Sequence, residues 1–273
     1  MAANTGNAAN TASAASRFAF GRRAGRLVER NLMVYRRTPL VIVSGFFEPL
    51  FYLLGIGFGI GALVGGVIGP DGRSLPYGVF VAPGLLAASA MNGAIYDSTM
   101  NVFFKLRYAK TYDAILSTPL GIDDVALGEI SWALIRGTLY ATGFLLVMLL
   151  LGLVRSPWFV LALPVAMLIG FAFAAVGMAA TTFMRGWTDF DYVFVATLPL
   201  FLFSSTFYPI ETYPAALQVL VRLTPLYHGV DLLRSLSLGI VGPGLLVHVA
   251  YLVAMGLAGL WVVNRRLDRL LLK

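Results

Sequence analysis

The chain has 273 residues, of which 59% are hydrophobic and only 12% charged, with a mean hydropathy of +0.82; a soluble domain carries about 25% charged residues. This composition excludes an ordinary soluble enzyme and predicts an all-α integral membrane protein. The net charge of +7 reads as membrane topology rather than nucleic-acid binding, because the basic residues gather between apolar runs and form no compact basic domain. The absence of cysteine excludes thiol catalysis, disulfides and Cys-ligated zinc.

Residues 1–16 are mostly Ala, Asn, Ser and Thr. They have little to bury and lack the apolar centre of a signal peptide, so a disordered tail is expected. Residues 17–38 carry seven arginines among apolar residues. Val28, Leu32 and Tyr35 fall at i, i+4, i+7, with Arg23, Arg30 and Arg37 on another face. That pattern predicts an amphipathic helix at the membrane surface, each arginine gaining about 1 kcal/mol from anionic headgroups.

The remainder, 39–273, reads as a six-helix transmembrane domain. Apolar runs of about the 20 residues needed to cross a bilayer cover roughly 40–64, 77–100, 130–154, 158–183, 191–208 and 245–263. Connections on one side carry fifteen Arg and Lys against four on the other. Both termini are therefore assigned to the cytoplasm, and the segment after the fifth run to the outside. No internal repeat is visible, which counts against inverted-repeat transporters.

The inner connector, 101–124, is not a generic polar loop. Thr111 is placed to cap a short helix whose apolar edge is Tyr112, Ile115 and Leu116. Pro119 ends it, since the residue before proline leaves the helical region. Asp123 or Asp124 then caps the third run and meets its positive dipole end. Such an edge suits docking into a groove of another protein, or rest on the membrane surface.

The sequence holds no Gly-Lys pair, so it has no phosphate-binding loop of that type. The glycines at 55, 57, 59 and 61 lie inside an apolar run, which rejects a dinucleotide motif. Gly57, Gly61 and Gly65 make small-xxx-small steps for close packing, within one subunit or across two. Glu48, Asp97 and Arg136 are ionisable residues inside spans, where a charge costs about 3 kcal/mol or more. Arg136 is expected to pair with a carboxylate on another helix, Asp97 among them. Proton relay is the alternative for Glu48 and Asp97.

The outer segment, 206–240, contains Thr206-Phe-Tyr-Pro-Ile-Glu211 and Thr224-Pro-Leu-Tyr-His-Gly-Val-Asp-Leu-Leu-Arg234. It is too apolar for a solvated loop and too broken by proline for a lipid-exposed span. Two short re-entrant helices shielded by protein are expected. His228, Asp231 and Arg234 follow at i, i+3, i+6 and suit a polar scaffold that holds this segment. With two histidines in the chain and no His-carboxylate cluster of metal spacing, no metal site is predicted.

The order of these features resembles the ABC-2 type permeases of ATP-driven exporters, over residues 20–270. Glu48-Pro-Leu-Phe-Tyr-Leu-Leu-Gly-Ile-Gly57 and Leu127-Gly-Glu-Ile-Ser-Trp-Ala133 are similar to nodulation-factor (lipo-oligosaccharide) exporter permeases more than to daunorubicin-type drug exporter permeases. The resemblance implies a bacterial, multi-pass cell-membrane subunit without its own ATP site. It implies ATP and Mg on a partner ABC ATPase, a second identical or paralogous permease, an amphipathic lipid, glycolipid or drug as substrate, and no nucleic acid. Carried over by residue, Tyr112, Asp113, Ile115, Leu116, Thr118 and Pro119 would form the ATPase contact. Phe207, Tyr208, Pro209, Pro225, His228, Asp231 and Arg234 would form the outer gate. Ala109, Lys110 and Asp113 depart from the glycine and glutamate that many relatives carry in the coupling segment. Two other readings stand beside this one: a proton-coupled secondary transporter, and an intramembrane lipid-modifying enzyme built on the His228 group.

Overall fold

A computed structural model describes residues 25–36, 47, 50–70 and 72–271. The expected tail and Glu48 lie outside the described residues. Helix α1 (25–35) opens the described chain. Its inward face is Leu27 and Asn31, while Leu32 is 56% exposed and Met33 and Val34 are also exposed. Leu32, on the face expected to meet the membrane surface, is thus open, while Tyr35 of the same face turns toward the bundle, where its hydroxyl accepts from Arg136. Asn31 is drawn inward by its own buried hydrogen-bonding partners, which apolar periodicity alone could not show.

The described part of helix α2 is 50–64 and is apolar, the start of the predicted first run lying outside the described residues; over Leu53–Ile60 it winds in the wider i→i+5 manner. Gly57 and Gly61 lie against Gly78, Val81 and Tyr77 of the next helix, so these small-residue steps pack within the chain. A two-stranded antiparallel hairpin follows, β1 (Gly66–Ile68) with β2 (Ser74–Pro76), pairing Val67 with Leu75.

Helix α3 (Tyr77–Tyr108) runs 32 residues without a break. It carries the second span straight through positions 101–108, which the sequence assigned to a connector. Turns of i→i+5 bonding at Asp97–Asn101 and Phe104–Tyr108 mark its inner half. After a left-handed Lys110 (φ 45°) comes α4 (Thr111–Leu116), whose N-cap is Lys110 and not Thr111. Helix α5 (Ile122–Leu150) starts where the Gly121 N–H donates to Asp124 Oδ2 at 2.9 Å, a carboxylate at the positive helix end.

Helix α6 (Pro157–Thr181) is the hub: α3, α5 and α10 (Leu245–Leu271) all pack on it. Its small residues permit that approach. A Cβ on Gly259 of α10 would come within 2.7 Å of the Ala175 carbonyl carbon, so only glycine lets the two backbones touch there.

The fifth run yields α7 (Phe190–Leu202), 13 residues long and roughly 20 Å at 1.5 Å per residue. It stops short of the predicted Tyr208. The Phe203 N–H turns back to the Pro199 carbonyl at 2.8 Å, and Ser205 takes positive φ (57°). Two short helices then stand where the broken segment was predicted, α8 (Ala215–Leu223) and α9 (Pro225–Leu238). Gly239 in the left-handed conformation (φ 81°) closes α9. Among the described residues, four helices are long and apolar enough to cross a membrane: α3, α5, α6 and α10.

Candidate functional site

Three constellations follow from this packing, beginning at the end the charge pattern assigns to the cytoplasm. Helix α4 presents two faces of different character. Tyr112 is fully buried and Ile115 nearly so, whereas Asp113, Ala114, Ser117, Thr118 and Pro119 are exposed and Leu116 is half-buried. The edge expected to dock outward is instead the root that fixes α4 to the bundle. Apolar side chains at i and i+3 found a partner within the chain, which leaves the opposite face free. Burial, and then the Glu129 carboxylate, push the Tyr112 phenol well above its ordinary range. The exposed face ends in local caps, Ser117 Oγ to the Ala114 carbonyl (2.7 Å) and Thr118 Oγ1 to the Ile115 carbonyl (2.6 Å).

Beneath α4 two buried ion pairs join α3 to α5. Lys105 Nζ lies 2.7 Å and 2.9 Å from the two Glu129 oxygens, and Asn31 of α1 bonds both residues. Further in, Arg136 Nη1 lies 2.8 Å from Asp97 Oδ1. The Tyr35 and Tyr140 hydroxyls accept from the same guanidinium at 2.9 and 3.2 Å, and its carbon sits 4.8 Å over the Tyr35 ring. Helix α1 therefore contributes one residue to each pair. Lys105 had been counted only as a topological loop charge, and Glu129 and Asn31 were missed. An acidic residue seven positions inside α5 was the signal for Glu129, by the same rule that flagged Asp97.

Two cavities flank α7. One, of about 630 Å³, lies among α2, α3, α5 and α7 and is lined by the Asp97–Arg136 pair with Ser89, Asn92, Tyr96 and Tyr140. The other, of about 750 Å³, is mostly apolar, with Phe173, Val176, Ala180, Phe183 and Met255 along its wall and Pro225 at one end. Arg185 and Asp189 mark its opposite end. The Arg185 and Gly186 N–H groups donate to Asp189 Oδ2 at 2.6 and 3.3 Å and hold that carboxylate below its usual range.

At the far end the turn between α7 and α8 is stapled to α3. Arg234, 3% exposed, donates from Nε to the Phe80 carbonyl (3.2 Å) and from Nη2 to the Ser205 and Thr206 carbonyls (2.8 and 3.3 Å). Its guanidinium carbon lies 3.9 Å over the Phe80 ring. The Tyr77 hydroxyl donates to the Phe207 carbonyl at 3.0 Å. A Cβ on Gly84 would stand 3.0 Å from the Thr206 carbonyl oxygen, so α3 accepts the turn only where it lacks a side chain. Tyr208 packs on Tyr213 at 4.9 Å, and Pro209 leads into the single turn Ile210–Thr212.

The predicted His228–Asp231–Arg234 face is divided. Arg234 serves the turn, while His228 and Asp231 both reach His248 of α10, which the sequence reading missed. The two histidine Nδ1 atoms are 2.8 Å apart, and His248 Nε2 is 3.2 Å from Asp231 Oδ2. His228 stacks on Tyr251 with centroids 4.0 Å apart. Among the described residues no group of three or more His, Cys, Asp or Glu could hold a metal ion.

Long apolar helices, paired charges buried between them and a small helix rooted in the bundle with one face open define an integral membrane protein of the transport class. The ABC-2 type transporter family matches residues 23–238, and the chain belongs to that family. Its similar proteins include nodulation protein J of Sinorhizobium fredii, 34% identical over 82% of this chain and 84% of the relative. Nodulation protein J of Rhizobium meliloti is 35% identical over 81% of each chain. That of Rhizobium leguminosarum bv. viciae is 32% identical over 88% and 93%. The chain is thus a membrane transport subunit of a family that works with ABC ATPases.

Proposed function

We propose that this chain is the permease subunit of an ATP-driven exporter for an amphipathic lipid, glycolipid, lipo-oligosaccharide or hydrophobic drug. It lies in a bacterial cytoplasmic membrane with six crossings and both termini inside. A partner ATPase binds ATP and Mg, and two permeases, identical or paralogous, enclose the path. The observation that carries the proposal is α4 in a chain of this family. Tyr112 and Ile115 root it in the bundle, and an exposed Asp113, Ala114, Ser117, Thr118 and Pro119 face remains for a partner. The nodulation protein J relatives support the lipo-oligosaccharide end of the substrate range.

The Asp97–Arg136 ion pair (2.8 Å) supports a structural role over a proton carrier, because it joins two neighbouring helices and loss of either partner would strand a buried charge. The His228–His248–Asp231 chain reads as packing between α9 and α10, and activity retained in His228→Ala would agree with that over lipid modification. Transport in sealed inside-out vesicles tests the whole proposal. ATP with the copurifying ATPase is expected to drive uptake of a fluorescent glycolipid. Uptake driven by a pH gradient without nucleotide would contradict it.

A further inference from the structure

The two cavities beside α7 differ in chemistry but share a wall. Ile95 and Thr99, one turn apart on α3, and Val193 and Thr197, one turn apart on α7, line both. The shared residues form a saddle one helical turn long, about 5.4 Å, where the two cavities adjoin. Helix α7 presses lightly on it, with Phe190 its one buried residue and Tyr192 74% exposed.

The polar side of the saddle carries the selectivity. Its lining holds one positive and one negative residue among those described, Arg136 and Asp97, and they neutralise each other. Arg136 and Asp97 are both buried and compensate each other. An added anion would meet the Asp97 carboxylate and an added cation the Arg136 guanidinium, so the site favours a neutral head. Asn92 and Ser89 add amide and hydroxyl groups, and Tyr96 and Tyr140 add ring faces on which a sugar can lie. Across the saddle the lining is mostly apolar, with its charged residues, Arg185 and Asp189, at one end.

We infer that the cavity around Asp97 and Arg136 binds the uncharged, hydroxyl- and amide-bearing head of a glycolipid whose chain crosses the Ile95–Val193 saddle into the apolar cavity. This assignment rests on the permease proposal and adds where head and chain lie and which head charge is refused.

Photo-crosslinking to the full chain in phosphatidylcholine nanodiscs tests it with two dodecyl maltosides, one with a diazirine on the sugar and one with it on the last chain carbon. The sugar probe is expected to mark residues near Asn92 and Gly137, and the chain probe the stretch 173–184. Excess dodecyl maltoside is expected to compete, and dodecyl phosphate to compete about tenfold less well. Asn92→Leu is expected to lower sugar labelling about fivefold or more in protein of normal melting temperature. Asp97→Asn is expected to reverse the preference in favour of the phosphate. Labelling spread evenly over lipid-facing positions such as Leu146 and Leu149, or equal competition by the phosphate, would overturn the assignment. The assay needs no ATPase. Absent labelling in a chain that still supports ATP-driven transport overturns the head-group site alone. Labelling as expected without any ATP-driven transport supports the site and contradicts the permease proposal.

Discussion

The two ends of the bundle solve the same problem, a cation buried in an apolar setting, with different partners. At the α4 end Lys105 and Arg136 each meet a carboxylate on a neighbouring helix. At the α9 end Arg234 meets the backbone carbonyls of Phe80, Ser205 and Thr206. Side-chain pairs lock regular helices to one another, and both admit a residue of α1. Carbonyl contacts instead satisfy an irregular turn, which hydrocarbon could not accommodate unpaired. The α4 end is therefore sensitive to charge balance, and the α9 end to the shape of the turn.

Removing Arg234 gives the sharpest break of this contrast. Arg234→Met strands three carbonyls and is expected to cost about 3 kcal/mol or more, seen as a lower melting temperature and faster alkylation of a Ser204→Cys reporter. The paired end behaves differently: Lys105→Met or Glu129→Leu alone is expected to cost about 3–5 kcal/mol, and the double variant to recover most of it. A thermal-denaturation cycle in which the two losses simply add would erase the distinction between the ends.

Shape is tested by Gly84→Ala, which pushes a methyl at the Thr206 carbonyl and is expected to destabilise by about 1–3 kcal/mol; the same change at Gly93, where a Cβ meets nothing within 4 Å, is expected to be tolerated. Smallest is the α6–α7 turn. Backbone N–H groups hold Asp189 below its usual range, so its contribution is full above the ordinary carboxylate pKa, about 3.9, and is lost as pH falls through the lowered value. Hydrogen exchange at the Arg185 and Gly186 amides is expected to quicken only in that acid range.

The sequence made the helical membrane architecture legible because long apolar runs have few other uses. Residue type and the cost of a buried charge pointed Arg136 toward a carboxylate on another helix, and the structure provides Asp97. Side-chain direction was harder to read. Tyr112 and Ile115 read as an outward edge of α4, because periodicity finds an apolar stripe without saying what covers it. Lys105 was hidden by its place near a predicted loop, since nothing local shows that α3 continues to Tyr108. His248 sat inside an apolar run far from His228 and Asp231, and only the packing of α9 on α10 joins them.

The free face of α4 decides the central claim most directly. In the complex of this chain with its ATPase, Ser117→Cys and Thr118→Cys are expected to crosslink to the ATPase through a short bifunctional thiol reagent, with yields that change on adding ATP and Mg. Retained ATP-driven transport with no crosslink from either position would contradict the assignment of this face to the ATPase.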